Sequence, residues 1–151
     1  MKDDKIFIDT NVLVYAFDIS AGIKHEKAKK IVENCWRLEN GIISIQVLEE
    51  FFVCLTKKIP APVDSIAVKQ IIRDFLKWGT VAIDGDMILE AIDVSIRHKF
   101  SFWDSLIIVS AVSGRANIIF SEDLSDSQTI EGIVIKNPFI VDKNNKEKQI
   151  I

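Results

Sequence analysis

Four acidic positions in this chain fall where apolar segments give way to polar ones, and their type and spacing define the chemistry open to it. Asp9 ends the apolar run Ile6-Phe7-Ile8 and is followed by Thr10 and Asn11. Glu50, with Glu49 beside it, interrupts the apolar segment that holds Val47, Leu48, Phe51, Phe52 and Leu55. Asp104 opens the almost wholly apolar stretch of Leu106, Ile107, Ile108, Val109, Ala111 and Val112. Asp123 lies in Ser121-Glu122-Asp123-Leu124-Ser125-Asp126, just beyond Ile118-Ile119-Phe120. A buried ionised carboxylate is costly unless it is paired, hydrogen-bonded or bound to a metal. No histidine or cysteine set accompanies these acids, and an oxygen-only donor set favours Mg²⁺ or Mn²⁺.

Each acid also has an ordinary structural explanation. Asp9 and Thr10 between a strand and a helix are common N-capping residues. Asp104 lies three residues after Ser101, as in a capping box, where the helix dipole welcomes an anion. On a helical wheel Glu49 and Glu50 border opposite edges of the core-facing arc, so periodicity alone does not choose between them. The Ser121–Asp126 segment has the composition of a surface turn. What sets Asp9 and Asp123 apart is the repetition: both stand just past a continuous apolar run, the pattern of a strand buried on both faces, and the mouth of a parallel sheet lies at the carboxyl ends of its strands.

The elements that must position these groups alternate. Apolar runs at residues 6–8, 42–45, 81–83, 118–120 and 133–135 read as strands, and segments 10–17, 25–37, 46–57, 63–78, 86–99 and 102–113 carry helical periodicity. The reading is an α/β domain with a central, mostly parallel sheet of about five strands flanked by helices. Pro60 and Pro62 separate two helices, Gly41 and Gly79 precede strands, and Gly114 closes a helix in the manner of a C-terminal glycine. With 151 residues, 48% of them hydrophobic, the chain fits one domain, placed at residues 1–142, followed by a polar tail at 143–151. Cys35 and Cys54 lack zinc or redox spacing and read as buried thiols of a reducing compartment. The charged start, Lys2 to Lys5, and the short apolar run after it fit neither a signal peptide nor a membrane span, so a cytoplasmic location is expected.

A net charge of −3 runs against nucleic-acid binding in general, but a carboxylate cluster offset by bound cations reconciles the two. His25 and His98 sit among basic residues and read as solvent-facing. Trp36 and Trp103 read as core or interface residues rather than base-stacking platforms. No glycine-rich phosphate loop or Gly-x-Ser-x-Gly elbow is present.

Taken together, "FIDTNVLVYAFD" at residues 7–18, "ISIQVLEEFF" at 43–52, "FSFWDSLIIVSA" at 100–111, "IIFSEDL" at 118–124 and "IEGIVIKNPF" at 130–139 resemble the PIN domain family, in particular its VapC toxin branch from toxin–antitoxin pairs. The resemblance implies a three-layer PIN-like fold and a metal-dependent endoribonuclease using Mg²⁺ or Mn²⁺. It implies that Asp9, Glu50, Asp104 and Asp123 form the catalytic acids, with Asp9, Asp104 and Asp123 holding metal and Asn11 and Ser121 as supporting polar groups. Glu50 is chosen over Glu49 because the family's glutamate directly precedes an aromatic residue. Members of the branch often carry glycine soon after the fourth acid; here Ser125-Asp126-Ser127 occupies that stretch, leaving Asp126 as a reserve candidate. The resemblance further implies a homodimer, an RNA substrate and a cognate antitoxin. Lys57 and Lys58, with Lys24, Lys27, Lys29 and Lys30, are candidates for guiding the RNA backbone. Two other readings compete. One is a non-catalytic RNA- or protein-binding module on the same fold; the other is a phosphoryl-transfer domain, which expects a second aspartate where Asn11 stands.

Overall fold

The computed structural model describes residues 4–140. The expected tail and the boundary at residue 142 lie outside the described residues. Six strands form one sheet in the order β3-β2-β1-β4-β6-β5: β1 (Ile6–Ile8), β2 (Gly41–Ser44), β3 (Gly79–Val81), β4 (Ile118–Phe120), β5 (Thr129–Ile130) and β6 (Ile133–Lys136). All pairings are parallel except β5 with β6. The sixth strand, β5, extends the five read from the sequence. It is two residues long, and only its pairing with β6 marks it as a strand.

Every residue of β1, β2 and β4 is buried. That explains why these strands read as continuous apolar runs rather than as alternating ones. Beyond them come α1 (Thr10–Tyr15), α2 (Ile23–Leu38), α3 (Ile45–Val53), α4 (Ser65–Phe75), α5 (Gly85–His98) and α6 (Phe102–Ser113). Helices α1 to α4 contact one another, whereas α5 packs along α6 and α6 lies on β2 and β3. The chain steps from β1 to β2 to β3 in one direction and then returns to the other side of β1 to lay down β4. Right-handed crossovers therefore place the two helical groups on opposite faces, with the topological switch between β1 and β4.

Side chains just ahead of the helices start them. Asp9 accepts from Thr10 N at 2.7 Å, Ser44 from Val47 N at 3.3 Å, Asp84 from Met87 N at 2.9 Å and Ser101 from Asp104 N at 3.1 Å. The helix expected over residues 46–57 divides into α3 and a wider π-helical turn, Cys54–Lys58. A short 3₁₀ turn, Ile19–Ala21, was not legible as an element; its cap is the Asp18 side chain, which accepts from Ser20 N. Cys35 is buried and Cys54 half-buried, both as free thiols. Among the described residues, no helix is long and apolar enough to cross a membrane.

Gly114 does end α6, but not for the conformational reason the sequence suggests. Its φ is −79°, open to any residue. What it supplies is space, since a Cβ there would lie 2.8 Å from Ile42 Cγ2 and 3.0 Å from Val81 Cγ2, on two stiff β-branched side chains of the sheet. Gly114→Ala is therefore expected to destabilise the fold by about 1–3 kcal/mol through overpacking. In urea unfolding, the midpoint should fall with an unchanged slope.

Candidate active site

Asp9 and Ser121 are the first residues past two paired strands. Ile8 and Phe120 are register partners, and Asp9 N continues the ladder by donating to Phe120 O at 3.0 Å. The geometry drives the two side chains together, and Ser121 Oγ donates to Asp9 Oδ2 at 2.7 Å. The same hydroxyl accepts from the backbone N–H groups of Asp123 and Leu124 at 3.2 and 3.3 Å, folding the loop after β4 back over the strand end. Asn11 closes the arrangement from α1: its Nδ2 donates to Asp123 Oδ2 at 2.9 Å and its Oδ1 accepts from Glu122 N at 3.2 Å. On the other side, Thr10 Oγ1 donates to Glu50 Oε1 at 3.0 Å.

These contacts converge on a cleft of about 90 Å³ lined by Asp9, Thr10, Asn11, Gln46, Glu50, Trp103, Asp104, Ile107 and Asp123. All four acids named from the sequence line it. Glu49 and Glu50 are both exposed, and of the two it is Glu50 that lines the cleft. Asp126 is turned away, accepting from Asn137 N at 2.8 Å and from Ser127 Oγ at 3.0 Å, which leaves Asp123 as the fourth acid of the cleft. Ser121 lies just behind the lining, fully buried, and reaches it through Asp9. Capping and a place in the cleft prove compatible, because Asp9 caps α1 with one oxygen and meets Ser121 with the other, while Ser101 caps α6 and leaves the Asp104 carboxylate unused by the cap.

The electrostatics are one-sided. Among the described lining residues there is no lysine, arginine or histidine. Asp9 is only 7% exposed, and its pKa rises from 3.8 to about 6. Burial is the largest cause, opposed by the hydrogen bonds from Ser121 and Thr10, with the charges of Asp123 and Glu50 raising it further. The positive ends of α1 and α6 partly offset this concentration of negative charge. Among the described residues, no three His, Cys, Asp or Glu side chains stand so that they could hold a metal ion without moving. Like charges favour that separation, and Asp9 spends both its oxygens, and Asp123 one, on neighbouring donors.

Several features were not read from the sequence. Gln46, four residues before Glu50 and so on the same helical face, lines the cleft; it is 6% exposed and its Oε1 is buried without a donor. Trp103, read as core or interface, is 62% exposed at the cleft's edge. Trp36 is at the core's margin, against Phe75 and Trp78. Lys24 is not free to guide a phosphate, because it pairs with Glu122, which also accepts from Tyr15 OH at 2.9 Å. His98 does not face solvent as expected: it stacks on Phe100, and its buried Nε2 lies 3.8 Å from Glu131. His25 Nδ1 sits 2.9 Å from Tyr15 O. Lys57 and Lys58 are exposed on the π-helical turn, outside the cleft lining and roughly 11 Å beyond Glu50 at the rise of a helix.

The acids lie just past the carboxyl ends of β1 and β4 and on helices α3 and α6, and the comparisons give this α/β fold a family. The PIN domain family model matches residues 6–125, and the chain belongs to that family. No curated protein matches the chain in sequence. Among solved structures, it resembles the VapC20 toxin of Mycobacterium tuberculosis, described as cleaving the sarcin-ricin loop, with 19% identity and a TM-score of 0.61 over 79% of this chain and 92% of that one. It also resembles a chain of a toxin–antitoxin complex from Klebsiella pneumoniae, at 22% identity and TM-score 0.61 over 86% of this chain and 96% of that one. A third is a chain of the VapBC2 complex of Rickettsia felis bound to a promoter DNA fragment, at 14% identity and TM-score 0.59 over 87% and 97% of the two chains.

Burial of Asp9 makes a stability prediction for the metal-free protein. Its pKa is higher folded than unfolded, so the folded state gains from the proton below pH 3.8 and loses that gain as pH rises through about 6. Above that pH the ionised group weighs on the fold by an amount on the order of 1–3 kcal/mol. Asp9→Asn is therefore expected to raise the Tm of chelator-treated protein at pH 7.5. The gain should vanish by about pH 4, as seen in thermal melts across that range.

Proposed function

We propose that the protein is a metal-dependent endoribonuclease, hydrolysing RNA phosphodiester bonds at the acid cleft, and the toxin of a VapBC-type toxin–antitoxin pair. The observation that carries this reading is the convergence of Asp9, Glu50, Asp104 and Asp123 on one small cleft that holds no basic side chain among its described lining residues. Membership of the PIN family and the likeness to toxin structures support it.

The donor chemistry fits a hard divalent cation. Carboxylate and amide oxygens are the ligands Mg²⁺ and Mn²⁺ prefer, and Gln46 Oε1 is a buried acceptor still lacking a donor. Asp9, Asp104 and Asp123 would hold the cation, directly or through water. When bound, it supplies Lewis acidity that activates water for in-line attack and offsets the charge of the phosphate. The chain's own residues do the positioning. Ser121 and Thr10 N fix the two oxygens of Asp9, Asn11 turns Asp123 toward the cleft, and Thr10 holds Glu50 where it can orient the attacking water or take its proton. Lys57 and Lys58 would contact the RNA backbone away from the reacting phosphate. A homodimer and an inhibiting antitoxin belong to the same reading.

Purified wild type, freed of any partner and incubated with total cellular RNA, should make discrete cuts in Mg²⁺ or Mn²⁺ and none in EDTA. Asp104→Asn and Asp9→Asn should lower kcat by at least about 10²-fold while remaining folded. Asn11→Ala should weaken Mn²⁺ binding roughly 10- to 100-fold in isothermal titration, because Asp123 loses its orienting donor. A wild type that binds no divalent ion and cuts nothing would replace the nuclease with the non-catalytic binding module.

A further inference from the structure

We propose that Trp103 is a stacking platform for an unpaired RNA base beside the scissile phosphate. The inference rests on the ribonuclease reading above. Trp103 immediately precedes Asp104 in the first turn of α6, and both line the acid cleft. Its neighbour Phe102 turns inward and packs against the core, meeting the Trp103 ring edge-on at 5.1 Å and 77°. The indole is left 62% exposed, a large apolar surface that the fold does not use.

Two constraints assign that surface to a base. The first is position: Trp103 lies at the edge of a cleft whose other walls are mostly carboxylate, hydroxyl and amide, so it offers a flat apolar face beside a phosphate held at the acids. Among the described lining residues Trp103 is the sole aromatic, and with Ile107 it makes up the apolar part of that wall. The second constraint is charge. With no basic side chain in the lining, a strand near the acids gains nothing from phosphate neutralisation there, whereas stacking draws on the base's π-face and needs no positive charge. Bases inside a duplex have both faces covered by their neighbours, so the platform is open only to a base splayed from a single strand or loop.

The test uses a fluorescently labelled, random-sequence RNA octamer and a blunt RNA duplex of equal length, with binding followed by anisotropy in Ca²⁺ and cleavage of total RNA followed in Mg²⁺. Trp103→Ala is expected to weaken octamer binding by about 5- to 150-fold, the range of one lost stacking contact. Trp103→Phe should restore affinity to within a few-fold. KM should rise with kcat largely kept, Mn²⁺ affinity should not change, and duplex binding should be weak and insensitive to the substitution. Equal octamer affinity or equal KM for wild type and Trp103→Ala overturns the platform while leaving the nuclease reading intact. So does a loss that Phe does not rescue, or a changed oligomeric state on size exclusion with RNA affinity unaltered. A wild type that cuts no RNA overturns the nuclease reading, and the platform for a scissile strand falls with it.

Discussion

The constraint on which the rest of the structure depends is an acid, Asp9, held at the end of a fully buried strand. Three side chains of β1 are completely enclosed, each contributing roughly 1.5–3 kcal/mol of apolar burial, and together they outweigh the few kcal/mol it costs to keep one carboxylate out of water. Everything around the acid reduces that cost. Ser121 and Thr10 N donate to it, and the positive end of α1 faces it. The sheet order makes these contacts possible, since only a chain that returns to the other side of β1 can set Ser121 beside Asp9.

The same arrangement opposes stability and chemistry at one position. A neutral amide in place of Asp9 relieves the ionisation cost, yet it removes the charge on which cation binding would depend. Active sites often break the rules that the surrounding fold obeys, and the surroundings absorb the cost. Here Gln46 repeats the pattern in neutral form, as a buried amide oxygen without a donor on the helix that carries Glu50.

How much of this was legible in the sequence depends on the range of the interaction involved. Strands β1 and β4 were readable to the residue because burial on both faces leaves an unbroken apolar run, and helix α6 because Ser101 and Gly114 bracket a largely apolar stretch. The acids were readable because each interrupts or ends such a run. Strand β5 was not, since two residues carry no periodicity and only pairing with β6 defines them. The π-helical turn after α3 was read as helix because it keeps nearly the same apolar spacing. Trp103 was read as core or interface because an aromatic among apolar residues shows no direction; Phe102 took the inward place and left Trp103 outside the core. Lys24 was read as a candidate backbone guide and His98 as solvent-facing because their partners, Glu122 and Glu131, lie 98 and 33 residues away along the chain. Gln46 did carry a signal, its spacing of one helical turn from Glu50, but an amide's unmet hydrogen bond is visible only in three dimensions.

The placement of β1 beside β4 also has a temporal side. The contacts that organise the acids, Ser121 to Asp9 and Asn11 to Asp123, each span 112 residues. Strand β1 can pair with β2 once residue 44 has been made, but its other neighbour, β4, is complete only at residue 120. Until then Asp9 faces an open sheet edge, with neither Ser121 to hold it nor Asp123 to complete the cleft. A chain that stops between Asp104 and β4 therefore carries three of the acids without the geometry that unites them, and the cleft comes into being only after β4 has been made.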